Sequence, residues 1–278
     1  MINRRNFLRS TAHIAGAAAL VNGSTLFAKS NYLNRIGIQL YTLRSLMKES
    51  VPETLNLVSS LGYKEVEFAG YFDHKPTDVK KMLNQAGLTA PSVHVDLADV
   101  RDRLSETIAT AEAIGHKFIV VPWLRSHERE SLDQFKGYVE LFNKVGEECK
   151  KAGITFAYHN HEFEFEPLDG VEPYELFLAE TDPDLVKMQL DLFWTIKAGR
   201  DPITYFKRFP GRFPLCHVKD MAANGDMVNV GKGTIDFGRI FAKSQLAGLK
   251  HYFVEHDQPT DARTSAKESI TTLKALTF

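Results

Sequence analysis

The sequence predicts a single α/β domain, a (β/α)8 TIM barrel over residues 31–278. Three observations predict it. An amphipathic run ending in glycine and followed within a few residues by a β-rich run recurs five times, three more β-rich runs fit the same spacing, and no Pro- or Ser-rich linker interrupts the series. Glycine just past a helix adopts the left-handed cap conformation that a Cβ would penalise, so it marks where a helix stops and turns toward a strand. Strands alternating with helical segments of about 10 to 15 residues require a parallel sheet with crossover helices, and eight such units close most economically into a barrel. The competing architecture, an open doubly wound sheet, lacks its Gly-x-Gly-x-x-Gly after the first strand, where the chain reads Gln39-Leu40-Tyr41-Thr42-Leu43-Arg44.

Residues 1–30 stand outside the repeat. Asn3-Arg4-Arg5-Asn6-Phe7-Leu8-Arg9-Ser10 is a charged segment, and Thr11 to Val21 after it is a short apolar run broken only by His13. That run is too short to anchor a chain across a bilayer, which takes about 20 apolar residues. The segment reads as a signal peptide with a polar break at Asn22-Gly23-Ser24-Thr25 and a cleavage point near Ala28. Its Arg-Arg-x-Phe-Leu-Arg core resembles the twin-arginine export signal, which implies a periplasmic protein exported folded.

The strands follow in order. Arg35 to Tyr41 is the first. Ser60-Leu61-Gly62 introduces Lys64 to Phe68, Gln85-Ala86-Gly87 introduces Ala90 to Val95, and Ala113-Ile114-Gly115 introduces Lys117 to Val121. Lys151-Ala152-Gly153 precedes Ile154 to Tyr158; Val186 to Leu190 and Arg212 to Val218 lack the glycine; Leu246-Ala247-Gly248 precedes His251 to Val254. Gly231-Lys232-Gly233-Thr234 is not a phosphate loop, since no strand precedes it and the Walker spacing is absent; it is expected over the end of strand seven, with Thr234-Ile235-Asp236 starting a helix.

Composition narrows the function. Lys plus Arg number 34 against 35 Asp plus Glu, a net charge of -1, so no whole-chain basic field draws nucleic acid. Two cysteines, Cys149 and Cys216, make neither a disulfide framework nor a thiolate zinc site and read as buried small hydrophobes. Catalytic groups of a barrel belong at the C-terminal ends of its strands. Those ends carry Gln39 and Tyr41, Glu67, His94 and Asp96, Trp123, then His159-Asn160-His161-Glu162 with Glu164, then Asp191, then His217, Lys219 and Asp220, then Glu255, His256 and Asp257. Buried parallel strands should read as apolar runs, so a carboxylate or imidazole closing nearly every one requires a partner, and a shared cation is the simplest. Singly, a carboxylate there can cap the next helix and a histidine can be a bonded core residue. Nitrogen and oxygen donors without thiolate suit one divalent metal, and do not choose among Mn, Co, Zn, Fe and Mg.

The segments Tyr158-His159-Asn160-His161-Glu162-Phe163-Glu164-Phe165, Gln189-Leu190-Asp191-Leu192-Phe193-Trp194, Cys216-His217-Val218-Lys219-Asp220 and Phe253-Val254-Glu255-His256 resemble the xylose-isomerase-like TIM-barrel superfamily, the sugar phosphate isomerase/epimerase group. The resemblance implies a divalent metal held at the ends of strands five to eight, hence Asp191, His217 and Glu255 here. At strand five many members carry Glu where this chain has His159. The fourth ligand is therefore expected to be Glu164, with His161 second, or else His159 binds and Glu164 orients it.

Such a metal polarises a keto sugar so that a neighbouring C–H proton can leave to a positioned base. Candidate catalytic residues are His159, His161, Glu164 and Glu255; candidate substrate contacts are His94, Trp123, Lys219 and Glu67. Return of the proton gives epimerisation or isomerisation, and loss of a β-substituent gives elimination or hydration. An exported member is expected to act on an unphosphorylated sugar, glycoside or cyclitol, and the His-Asn-His segment resembles that of lyases and hydratases of 3-keto-glycosides and inosose dehydratases. The expected partner is a small carbohydrate, with no nucleic acid and no stable membrane anchor; self-association is left open. A periplasmic sugar-binding protein with a structural metal is the alternative of another class. An endonuclease IV-like nuclease would need more histidine ligands and a basic groove.

Overall fold

The computed structural model describes residues 32–278, in which eight parallel strands close into one barrel. The strands are β1 (Gly37–Gln39), β2 (Glu65–Phe68), β3 (Thr89–His94), β4 (Phe118–Val121), β5 (Thr155–His159), β6 (Val186–Asp191), β7 (Leu215–Val218) and β10 (His251–Val254). They neighbour one another in the order β1-β10-β7-β6-β5-β4-β3-β2. A two-stranded antiparallel hairpin, β8 (Asp220–Met221) with β9 (Met227–Val228), sits in the segment after β7. The expected signal peptide lies outside the described residues. Among the described residues no helix is long and apolar enough to cross a membrane.

Each predicted strand is present, and the glycines mark the junctions as expected. Gly62, Gly87, Gly115 and Gly248 are left-handed helix caps with φ of 98°, 65°, 98° and 82°. The outer helices bury one stripe each. In Leu132–Lys151, capped by Ser131 with Gln134 reciprocating, Phe135, Val139, Phe142, Val145 and Cys149 face the core at helical spacing. Truncating one of these, such as Phe142, should cost about 3–5 kcal/mol.

Alternation along the strands sends every second residue into the barrel, where Phe118, Val120, Ala157, Leu215 and Phe253 form a small apolar layer of their own. Gly37 belongs to that layer for a steric reason: a Cβ there would stand 2.5 Å from Cδ1 of Phe253. Above the apolar layer the inward positions become polar. The β2–β3 register slips between Glu65 and Glu67, which pair with Thr89 and Ser92, so β3 carries one extra residue around Ala90-Pro91. Proline, having no N–H to lose, is suited to that bulge, and beyond it Ser92 meets the Glu67 side chain.

Two strands, β1 and β7, depart from expectation by more than one residue at an end. β1 ends at Gln39 because Leu40–Leu43 turns into a 3-10 helix, with the Gln39 side chain accepting from Tyr41 N, and this leaves Tyr41 at the surface. β7 begins at Leu215; Arg212 is instead spent on Leu178 O and Thr181 Oγ1.

Candidate active site

Four strand ends converge on one point. His159 closes β5, Asp191 closes β6, His217 lies in β7 and Glu255 follows β10; one donor atom from each lies within 4.8 Å of the others, and all four residues are buried. Local structure fixes each of them. Asp191 serves two purposes at once: its Oδ1 accepts from Trp194 N at 2.9 Å and so caps Leu192–Lys197, while its Oδ2 faces the cluster. Asn160 ties the ends of β5 and β6 together, its Oδ1 accepting from Asp191 N at 3.0 Å.

The two imidazoles are oriented by outer partners. His159 Nδ1 stands 3.0 Å from Pro122 O, a carbonyl that can only accept, so Nδ1 carries the proton. Burial pushes its pKa down to about 4, so the ring is neutral and Nε2 holds a lone pair. That lone pair faces Asp191 Oδ2 at 3.2 Å. Two acceptors at this separation call for a proton or a cation between them. On His217, Nε2 donates to Glu67 Oε2 at 2.6 Å and Nδ1 to Glu255 Oε2 at 2.7 Å. Burial would lower the His217 pKa, but the Glu255 and Glu67 carboxylates outweigh it and push it up to about 10. Release of the Nδ1 proton would leave that nitrogen, like His159 Nε2, aimed at the cluster. The four residues thus fit a divalent ion: the His159 nitrogen with its lone pair free, the His217 nitrogen once its proton is released, and two carboxylates.

Lys219 lies against the same carboxylates. Its ammonium is buried, 2.7 Å from Glu255 Oε2, 2.8 Å from Asp257 Oδ1 and 3.0 Å from Asp191 Oδ2. Despite the cost of burial, Lys219 and the neighbouring histidines hold Asp191 and Glu255 well below the usual carboxylate range.

Two members of the cluster, His159 and Glu255, line a cleft of about 930 Å³ at the C-terminal end of the barrel. His94, Trp123, His159, His161, Lys219 and Glu255 line that cleft, as does Asp257. Two sequence expectations are corrected. Glu164, expected as the fourth ligand and a catalytic group, is outside both cluster and cleft. It sits in the 3-10 turn Phe163–Phe165, its Oε1 accepting from Tyr158 OH at 2.6 Å and its Oε2 from His161 N at 2.7 Å, and it positions His161 instead. Glu67, expected to touch substrate, points into the barrel below the cleft. Its oxygens accept from Gln39 Nε2 at 2.8 Å, Gln189 Nε2 at 2.7 Å, Ser92 Oγ and His217 Nε2, with His94 Nε2 at 3.1 Å. It is the orienting partner of His217. Lys219 lines the cleft, but its ammonium donates a hydrogen bond to Asp257 and is ion-paired with Asp191 and Glu255.

Strand-end reading missed Ser92 and Gln189, whose inward parity with Glu67 and Asp191 was a usable signal, and it missed the cleft wall from Tyr71, Arg129, Phe163 and Trp194. Arg129 stacks on Phe163, its guanidinium carbon 3.6 Å from the ring centre, which nothing in the sequence spacing foretells.

The family model for the xylose isomerase-like TIM barrel matches residues 55–276. Among curated proteins, the inosose dehydratase of Lacticaseibacillus casei is 22% identical over 258 residues, covering 78% of this chain and 85% of its own. Among solved structures, a sugar phosphate isomerase/epimerase from Parabacteroides distasonis superposes with TM-score 0.75 at 29% identity, over 87% of this chain and 93% of that one. The IOLI protein, crystallised with a bound zinc atom, shares the fold with TM-score 0.69 at 16% identity over 87% and 98% of the two chains. With four inward donors on successive strands of a closed barrel and the family model spanning that barrel almost entirely, the chain belongs to the xylose isomerase-like TIM-barrel family.

Proposed function

We propose that this protein is a divalent-metal-dependent carbohydrate enzyme that removes a proton beside a carbonyl, acting as an isomerase, epimerase or dehydratase on an unphosphorylated keto sugar or 3-keto-glycoside. The observation that carries this reading is the neutral His159 Nε2 facing Asp191 Oδ2 at 3.2 Å within a set of four convergent donors. His159, Asp191, His217 and Glu255 would hold the ion, which when bound supplies Lewis acidity toward a carbonyl oxygen.

The remaining work falls to the cleft. His161 lines it, and burial together with His159 and Lys219 holds its pKa well below the usual imidazole range, so the ring is neutral and offers an unprotonated nitrogen to the cleft. His94 donates from Nε2 to Gln189 Oε1 at 2.6 Å, which leaves Nδ1 as an acceptor for a substrate hydroxyl. Trp123, half exposed at the rim, offers a face on which a sugar ring can stack. The lining favours an uncharged substrate: Asp96, Asp99, Glu162, Glu166, Glu255 and Asp257 face only two permanent cations, Arg129 and Lys219.

Relatives that carry the names inosose dehydratase and sugar phosphate isomerase/epimerase support the class of chemistry. The test is metal analysis of the purified protein, followed by incubation of keto sugars and 3-keto-glycosides in D2O with and without chelator. Stoichiometric metal with chelator-sensitive deuterium incorporation, or loss of a β-substituent, is the expected result. Metal with tight sugar binding but no exchange would point to a binding protein, and no metal would overturn the site.

We also propose that Arg4 and Arg5 direct export to the periplasm. Replacing both by lysine should leave the protein in the cytoplasmic fraction, and unchanged fractionation would refute this.

A further inference from the structure

Lys219 is placed where a metal site has reason to avoid a lysine. Its side chain is buried, and the backbone on its C-terminal side is clamped: the Asp220 carboxylate accepts from Gly231 N, Gly233 N and Ile235 N at 2.8, 3.0 and 3.2 Å. The ammonium therefore reaches its position from a fixed base. Its ammonium contacts three carboxylates, one by a hydrogen bond and two as ion pairs, and the two ion-paired oxygens, Asp191 Oδ2 and Glu255 Oε2, are the ones that face the lone-pair nitrogen of His159 and the Nδ1 of His217. The third, Asp257 Oδ1, lies outside the four-donor cluster. The same two oxygens thus serve a permanent internal cation and complete the donor set for an external one.

We propose that Lys219 competes with the divalent ion for Asp191 and Glu255 and so sets the metal affinity of the site. The inference rests on the metal reading given above. A doubly charged ion and an ammonium repel across these distances, and each carboxylate lone pair given to one is withdrawn from the other. Displaced from the shared oxygens, the ammonium keeps its bond to Asp257 and turns two N–H bonds toward the cleft, where they can donate to substrate oxygens. Lys219 is on this account a balancing charge that loading converts into a substrate contact, which orders the events as metal first and substrate second. The Trp194 ring centre, 5.7 Å from Nζ, keeps the ammonium against an apolar and π-rich wall during that exchange.

The test is direct metal binding by the full chain. Chelator-stripped protein is titrated with Mn2+, and free Mn2+ is counted by its electron paramagnetic resonance signal for wild type, Lys219→Met, Lys219→Arg and Asp191→Asn. Lys219→Met, which keeps the length and removes the charge, should bind Mn2+ about tenfold or more tightly than wild type. Lys219→Arg should not gain. Equal or weaker binding by Lys219→Met overturns the competition and would make the lysine a supporting member of the loaded site. Should Lys219→Met fail to fold, wild type decides: the slowly exchanging 15Nζ ammonium signal of Lys219 should move on addition of diamagnetic Zn2+, and an unmoved signal refutes the proposal. If neither wild type nor Lys219→Met takes up Mn2+, Co2+ or Zn2+, the metal reading itself fails, an outcome distinct from equal binding by the two.

Discussion

Two glutamates on β2, Glu65 and Glu67, project into the same barrel from the same face and meet opposite fates. Glu65, at the N-terminal end, is matched by Arg35 at 2.9 Å and His251 Nδ1 at 2.7 Å. Its surroundings are a closed pairing beside the Phe118 and Phe253 rings, with no metal cluster near it among the described residues. Glu67, two residues on, is enclosed by five donors and passes its charge through His217 to Glu255, Asp191 and Lys219. The lower end satisfies its carboxylate and stops. The upper end carries acidic oxygens and an imidazole lone pair beyond what its own hydrogen bonds use, and that surplus opens onto a cleft. A barrel thus separates stability from chemistry along a single strand.

The largest break in this contrast should come from Asp191→Asn. The amide can still accept from Trp194 N and cap the helix, so the fold should survive, while the charge that faces His159 is gone. Metal affinity should fall by more than the roughly 10–100-fold that the loss of an outer partner brings. Calorimetric titration would show it, and retained tight binding would remove Asp191 from the ligand set. Glu67→Gln should fall within that 10–100-fold range, because His217 loses the anion that orients its Nε2 and raises its pKa. Glu67→Gln affinity equal to wild type would mean that the ring is held by packing alone.

The barrel itself was legible in the sequence because alternation, cap glycines and strand ends are local signals, each readable within about ten residues. Asp191, His217 and Glu255 stood out for the same reason: charges where a buried parallel strand should be apolar. Of the two strand-five alternatives, His159 stands in the cluster and Glu164 outside it, and local sequence does not say that Tyr158, one residue before His159, turns its hydroxyl outward to claim Glu164. Glu67 lies below the mouth although it stands near a strand end, because the shared parity of Glu65 and Glu67 places both inside the barrel. Ser92 and Gln189 carry no charge and so do not stand out at the strand ends, although the parity of Gln189 with Asp191 is legible; for Ser92 the pairing with Glu67 depends on a β3 bulge that the register reveals.

Glu164 sharpens the contrast through pH. Burial raises its pKa from 4.5 to about 7, against the hydrogen bonds from Tyr158 and His161 N that favour the anion. Below pH 4.5 both folded and unfolded chains hold the proton and nothing is lost. Between about 4.5 and 7 the unfolded chain releases it while the folded chain keeps it, so stability falls as pH rises, then levels off above 7. Glu164→Gln should abolish this part of the slope in denaturant melts, an effect on the order of 3 kcal/mol across the window, while leaving Mn2+ affinity unchanged. A slope identical to wild type would place the ionised form in the folded protein throughout.

Glu65→Gln completes the comparison with the smallest effect. Arg35 is 58% exposed on its side chain, so its ion pair with Glu65 is screened by water and contributes little. The His251 bond is better protected and should account for most of the loss, about 1–2 kcal/mol of unfolding free energy. Metal affinity and deuterium exchange should be untouched, since among the described residues no hydrogen bond links this pairing to Glu67 or His217. The pair of glutamine variants therefore forms a control within one strand: Glu67→Gln should alter metal binding, Glu65→Gln only stability. Should Glu65→Gln weaken metal binding as Glu67→Gln does, the two ends would be coupled through the apolar layer of Phe118, Val120, Ala157, Leu215 and Phe253, and the division of labour along β2 would be wrong.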